Sequence, residues 1–331
     1  MDTTFGINQS TKQVKLTRLC CEIKLCCLLG FNNQAFLKTN EKSGNRIMRV
    51  LLSFILIGSL LITPSVILAE TFLFDDFNGT IVNSDRWHIP TWTGPGDGTF
   101  VGRTQFRCIP APLPKAENSN AKILLDTYNP TANIPGDSFY GTDLISNQLF
   151  SSGNGIRIKV RAKMNTSQRG IVGGIFLYVL KSGINTIHDE VDFELITNIP
   201  DKFQTNIYSN EPLGEGHPIL HSYNSGSITD YHTYEIQWQP NRVSWFVDGN
   251  LVRTETENVP TGPMYFHLNI WAPAQEWELA YDQDFQPVSD PKLNQEYRMS
   301  VDSVNIQSFT PAPGKSNLAP ILLPLLLNEP Q

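Results

Sequence analysis

Between residues 156 and 163 the sequence IRIKVRAK places an apolar side chain at 156, 158, 160 and 162 and a cationic one next to each. A strict period of two puts the four apolar side chains on one face of a β-strand and the charges on the other, an arrangement no helix can satisfy. Such a strand is stable only when a second layer covers its apolar face. The chain beyond residue 70 repeats the theme in short runs broken by Gly, Pro, Asn and Asp. Tyr234, Ile236 and Trp238 alternate with Thr233, Glu235 and Gln237, and Pro240 and Asn241 mark a turn. The run VSWFV at 243–247 is closed by Asp248-Gly249, a strong hairpin signal. No long amphipathic helical pattern and no alternation of strands with helices is present. The fold read from these features is all-β, an antiparallel β-sandwich of the jelly-roll kind.

The first part of the chain reads differently. Met48 and Arg49 precede the apolar run LLSFILIGSLLI, then Pro64, then SVILA ending at Ala69. A basic start, an apolar stretch and a small residue before polar sequence make residues 48–69 a secretory signal peptide, cleaved after Ala69. The same run is just long enough to serve as an uncleaved anchor, but Pro64 and the small-residue end favour cleavage. Residues 1–47 then read as a mis-assigned upstream extension, with Met48 as the true start. Their Cys20, Cys21, Cys26 and Cys27 match no zinc-ligand spacing.

The exported part, 70 onwards, keeps only Cys108 and can form no internal disulfide. It holds 17 Lys and Arg against 29 Asp and Glu, a net charge of −12. That acidity argues against nucleic acid and anionic membrane surfaces as partners, since both call for basic patches. Residues 70–310 suffice for one sandwich domain, expected to be a secreted, extracellular or periplasmic, monomer with no stable membrane span. Residues 311–331 comprise a linker and an apolar tail, LAPILLPLLL at 318–327, too short and too proline-broken to cross a bilayer. The tail reads either as a strip docked on the domain or as a sorting or partner-binding segment.

The segment HDEVDFEL at 188–195 carries the chemistry. On a strand Glu190, Asp192 and Glu194 share one face, and Val191, Phe193 and Leu195 share the other. The apolar face belongs between the layers, so the acidic face looks into a cleft or solvent. Strands are poor in Asp and Glu, and like charges on one face repel, so the triplet is a local cost that calls for a function. A solvated acidic face, a calcium site and a glycosidase pair are the readings open to it. Two carboxylates flanking a glycosidic bond are what glycoside hydrolysis requires. Cα atoms four residues apart on a strand lie about 13 Å from each other. A retaining enzyme needs its carboxyl groups about 5–5.5 Å apart, a gap that two glutamates leaning together can close. Asp192, between them, is placed to hydrogen-bond a neighbour and tune it.

This segment resembles the E-x-D-x-E signature of glycoside hydrolase family 16, the clan of lichenases, laminarinases and xyloglucan transglycosylases. The stretches YHTYEIQWQP at 231–240, VSWFVDG at 243–249 and HLNIW at 267–271 resemble the same family, in family order. The resemblance implies a concanavalin-like jelly roll with a concave substrate cleft, retention of anomeric configuration and β-glucan as the polysaccharide substrate. It makes Glu190 the nucleophile, Asp192 its helper and Glu194 the acid/base. A single residue between Asp192 and Glu194 means no β-bulge, as in lichenases and the plant transglycosylases, and His188-Asp189 is especially similar to the latter. The expected activity is a retaining endo-β-glucanase acting on β-1,3-1,4-glucan or a related β-glucan. A transglycosylase and a non-catalytic carbohydrate-binding jelly roll are the alternatives.

The resemblance also implies substrate contacts. Asn206 and Tyr208 match polar cleft positions of lichenases, and Asn269 and Trp271 match the family's N-x-W, with Trp271 as the sugar platform. Asp143 stands on a strand that lacks the Glu and Arg common in lichenases and is taken as the substitute acid. Trp92 and Trp277, in loops, are candidate sugar contacts, whereas Trp238 and Trp245 read as core. His217 and His267 lack metal-ligand spacing, so no catalytic cofactor is expected. Asp302 matches a carboxylate that holds a structural calcium in lichenases.

Overall fold

The computed structural model describes residues 69–90, 92–93, 103–106, 114–130 and 138–309. The extension at 1–47, nearly all of the signal segment, Cys108 and the tail at 311–331 lie outside the described residues.

Numbered along the chain, the strands form two layers. The front layer runs β2 (Trp87–His88), β7 (Phe139–Phe150), β16 (Met264–Trp271), β9 (Val172–Ser182), β10 (Ile187–Ile196), β11 (Lys202–Glu211) and β12 (Ile219–Ser222), every neighbour antiparallel. The back layer runs β15 (Asn250–Glu255), β14 (Arg242–Val247), β13 (His232–Gln239), β8 (Ile156–Met164) and β17 (Glu296–Ser308). The far edge of β17 pairs with β1 (Thr71–Asp75) along one half and β6 (Ala121–Asp126) along the other, with β5 (Lys115–Ala116) beyond β6. The start of β7 pairs with β6 and, in parallel, with β4 (Thr104–Phe106), to which β3 (Trp92–Thr93) is joined. The two layers are therefore one hydrogen-bonded network folded over on itself. Among the described residues the only helical turns are Ile184–Thr186 and Pro291–Leu293, and no helix is long and apolar enough to cross a membrane.

The period-two reading of residues 156–163 holds side chain by side chain. Ile156, Ile158, Val160 and Ala162 are buried in the core that both layers share. On the outer face Arg157 and Lys159 reach Glu235 of β13 at 3.0 and 3.2 Å, so the strand's charges answer a cross-strand partner. The hairpin from β14 to β15 turns on Asp248 (φ 51°) and Gly249 (φ 80°), two successive positive φ values that an Asp-Gly pair adopts cheaply. Trp238 and Trp245 are fully buried, as their alternation with polar neighbours requires.

The acidic strand β10 lies near the middle of the front layer. Its Val191, Phe193 and Leu195 face inward and are completely buried. Phe193 packs on Tyr234 (ring centroids 5.2 Å apart) and Phe203 (5.9 Å), and Trp245 Nε1 of the back layer donates to Asp192 O at 3.0 Å. Phe193→Ala should cost about 3–5 kcal/mol of unfolding free energy, read from denaturant midpoints at constant slope. A cost below about 1 kcal/mol would mean that the layers do not rest on this ring.

Candidate active site

Because β10 is straight from Asp189 to Ile196 against β9, its three acids open three rungs across the front layer. Glu194 sits between Gln204 of β11 and Gly174 of β9, and Gly174 in turn faces Asn269 of β16 and then Asp143 of β7. Asp192 sits between Asn206 and Phe176, followed by His267. Glu190 sits between Tyr208 and Tyr178, followed by Tyr265. The register shifts only beyond this block, at residues 187–189, which agrees with the unbulged motif. These rungs floor a cleft of about 620 Å³. The loop between β11 and β12 walls one side with Leu213, Gly216 and Pro218, and Trp271 and Trp277 flank the floor. Among the described residues the cleft wall contains no Lys or Arg.

Gly174 is required where it stands. A Cβ there would collide with Asn269 Oδ1 and approach the Phe176 ring at 3.2 Å, so the floor beside Glu194 has no room for a side chain. Gln204 Nε2 donates to Glu194 Oε2 and fixes the carboxyl's orientation. Burial raises the pKa of Glu194 to about 8, helped by the charge of Glu190 and opposed by the Gln204 bond. Asp192 is only 2% exposed and is raised well above the ordinary carboxyl range, by burial first and then by Glu194 and Glu190. Its Oδ1 is buried with no hydrogen-bond partner. Near neutral pH, then, Glu194 holds a proton that it can give away. His188 Nε2 lies 3.2 Å from Glu190 Oε2, and Tyr178 and Tyr208 enclose that pair. One strand thus presents a proton donor at one end, a carboxyl group against a histidine at the other and a buried acid between them.

The remaining sequence-predicted residues divide. Asn206, Tyr208, Asn269 and Trp271 all line the cleft with the acidic strand. Asn206 Oδ1 accepts from Ile207 N at 2.9 Å, whereas Asn269 Oδ1 is buried with no partner beside Glu194's rung. Trp271 is 6% exposed and packs with Phe106, Val172, Ile196 and Ala280, so it shows the cleft little more than an edge. The more open ring of that corner is Trp277, stacked on it at 5.6 Å and 26°. Asp143 also lines the cleft, but as an acid paired with a histidine. It is 2% exposed and its carboxylate meets His267 Nδ1 at 3.1 Å. The imidazole, stacked on Phe176 at 4.7 Å, is the group that lies on the cleft floor. Trp92 belongs to β3, but its side chain lies outside the described residues. Asp302 is on β17, in the back layer, with Arg161 Nη1 at 3.3 Å from its carboxylate. Among the described residues no three His, Cys, Asp or Glu side chains gather to hold a metal. A calcium ion at Asp302 would have to share its single carboxylate with Arg161.

Sequence reasoning missed His188, Tyr178, Phe176 and Gln204 as parts of this site and set His267 aside for lack of metal spacing. The signal that could have found three of them is alternation: 174, 176 and 178 share a face, as do 204, 206 and 208.

A family model, Glycosyl hydrolases family 16, matches residues 112–286, more than half of the chain. A Beta-glucanase of Bacillus subtilis is 30% identical over 212 residues, covering 63% of this chain and 79% of that protein. A Beta-glucanase of Acetivibrio thermocellus is 28% identical over 241 residues, 69% of this chain and 66% of its own length, so the chain spans just under two thirds of that relative. Among solved structures, a prokaryotic β-1,3-1,4-glucanase (lichenase) derived from a mouse hindgut metagenome superposes with a TM-score of 0.56 at 24% identity. The match covers 72% of this chain and 99% of that one, and it establishes the shared jelly-roll fold.

Proposed function

This chain belongs to glycosyl hydrolase family 16, and from that footing we propose that it is a retaining endo-β-glucanase in which Glu190 is the nucleophile and Glu194 the acid/base. The observation that carries the reading is the acidic strand on the cleft floor, with one glutamate against a histidine and the other, still protonated, two rungs away. In the first step Glu190 attacks the anomeric carbon while Glu194 gives its proton to the departing sugar oxygen. A glycosyl ester on Glu190 and an ionised Glu194 result. In the second step Glu194 takes a proton from water as the water oxygen attacks that carbon, and Glu190 leaves as carboxylate. Asp192 is buried between the two, and that burial raises its pKa well above the ordinary carboxyl range and so disfavours a further negative charge on the floor.

The substrate follows from the wall as well as from the relatives. A cleft with carboxylates and, among the described residues, no Lys or Arg repels sulfated or uronate chains, while flat rings such as Trp277 suit the apolar faces of neutral sugars. The relatives named Beta-glucanase support a β-glucan, and the unbulged motif favours mixed-linkage β-1,3-1,4-glucan among them. Reducing-end release should be measured on mixed-linkage glucan, laminarin, xyloglucan and a sulfated galactan. Mixed-linkage glucan should be cut fastest and the sulfated polymer not at all. Faster release from laminarin would overturn the linkage assignment. Product redistribution with no new reducing ends would mark a transglycosylase, because transfer to sugar conserves their number.

A further inference from the structure

The histidine next to the motif has no role in the two steps just described, yet its surroundings are specific. His188 is 1% exposed. Its Nδ1 lies 2.7 Å from Thr186 O, and a carbonyl oxygen can only accept, so Nδ1 carries a proton. Nε2 lies 3.2 Å from Glu190 Oε2, close enough for an ion pair though not aligned as a hydrogen bond. A neutral ring with its proton on Nδ1 would turn a lone pair toward that carboxylate. Only a doubly protonated ring turns the contact into attraction. The ring is held between aromatic faces, Tyr208 at 4.3 Å and Tyr178 at 5.3 Å, where a cation is favoured.

The other charged groups around it are accounted for. Tyr178 on β9 and Tyr208 on β11 have phenols pushed upward by burial and by Glu190, Tyr178 to about 12, so both stay neutral. Asp189, next in sequence, points to the opposite face, where Lys181 Nζ (2.7 Å) and Asn210 N (2.7 Å) hold it. Glu211, across the strand, is bonded by His217 and by Ser209 N. His267 on β16 stands beyond Tyr178, edge-on to it at 5.9 Å, and is held by Asp143. Burial alone would lower the His188 pKa, but Glu190, Thr186 and Asp189 together raise it.

We propose that His188 is a positioning residue for the nucleophile, a buried imidazolium that fixes the Glu190 carboxylate and favours its departure in the second step. The inference rests on Glu190 being the nucleophile. When Glu190 forms its bond to the anomeric carbon its charge disappears and His188 is left a buried cation without a counter-ion. When water displaces the ester, the carboxylate leaves with the bonding electrons and the pair is restored. His188 therefore shortens the life of the covalent intermediate and keeps the attacking group ionised in the free protein.

The test uses His188→Gln and His188→Phe in the full chain with an activated aryl β-glucoside whose first step is fast. Both variants should lower kcat about 10–100-fold, the worth of one bond to a charged group, and lower KM as intermediate accumulates. The acid limb of kcat/KM should move upward by about one pH unit, a tenfold change in the ionised fraction. A structural role alone would raise KM and leave the limb in place, and that result overturns the proposal. Should the variants not fold, the wild-type protein still decides by NMR of the His188 ring. The ring should be protonated at pH 7 in the free protein, and its pKa should fall when Glu190 carries a 2-deoxy-2-fluoro sugar. A ring neutral at pH 7 in the free protein contradicts the proposal. An active Glu190→Gln variant sinks the reading of Glu190 itself; an unmoved acid limb beside an inactive Glu190→Gln sinks only the inference about His188.

Discussion

Glu190→Gln is expected to lower kcat/KM on mixed-linkage glucan by on the order of 10⁴-fold or more, with the melting temperature and glucan binding preserved. The amide has the shape of the carboxylate but no charge to offer an electron-poor anomeric carbon, so the first bond does not form. Binding should survive because the aromatic rings that line the cleft, Tyr178, Tyr208 and Trp277, do not depend on this charge for their packing. Folding should survive because Glu190 is half-buried and its charge only opposes the ionisation of Asp192 and Glu194. Steady-state rates, glucan affinity by calorimetry and thermal unfolding check the three parts separately. A variant within tenfold of wild type would remove Glu190 from the chemistry.

Glu194→Gln should have an effect nearly as large on glucan, about 10²–10⁴-fold, but a different signature. The departing group of a natural glucan is an alcohol that needs a proton, and glutamine has none to give. An aryl leaving group needs none, so an activated glycoside should still load Glu190 and then stall for lack of a base. The wild-type kcat/KM should fall as pH rises through about 8, where Glu194 ionises, and this alkaline limb should be absent in the variant. Stability should follow the same group. A carboxyl raised from its ordinary 4.5 to about 8 stabilises the fold while protonated, and that contribution is complete below its unfolded value and lost as pH climbs through the folded one. The variant should therefore match wild type in melting temperature near pH 5 and exceed it, on the order of 5 °C, above pH 8. An equal difference at both pH values would mean that Glu194 is not held protonated in the fold.

The parts of this molecule that a single strand dictates could be read from the sequence. Alternation gave the buried face of 156–163 and the partition of Val191, Phe193 and Leu195 from the three acids, and the Asp248-Gly249 pair gave the hairpin. What could not be read depends on which strands pair and in what register, since a shift of one residue would exchange every face. Asp143 is 124 residues from His267, and only the pairing of β7 with β16 turns a presumed substrate acid into the buried partner of an imidazole. His188 has two tyrosines over its ring because β9 and β11 both flank β10 in register. Gly174 is indistinguishable from its neighbour Gly173 in sequence, yet it is the one opposite Glu194. Trp271 was expected as the sugar platform, and the small cluster behind it takes most of its surface, leaving Trp277 as the open ring.

The central claim is that Glu190 becomes bonded to sugar during turnover. The most direct measurement is mass spectrometry of peptides from the Glu194→Gln variant after reaction with an activated β-glucoside. The expected result is one added glycosyl mass per chain, localised to Glu190 and released when a small anionic nucleophile such as azide is supplied. A sugar on Asp192 or any other residue, or no adduct together with a product of inverted configuration, would contradict it.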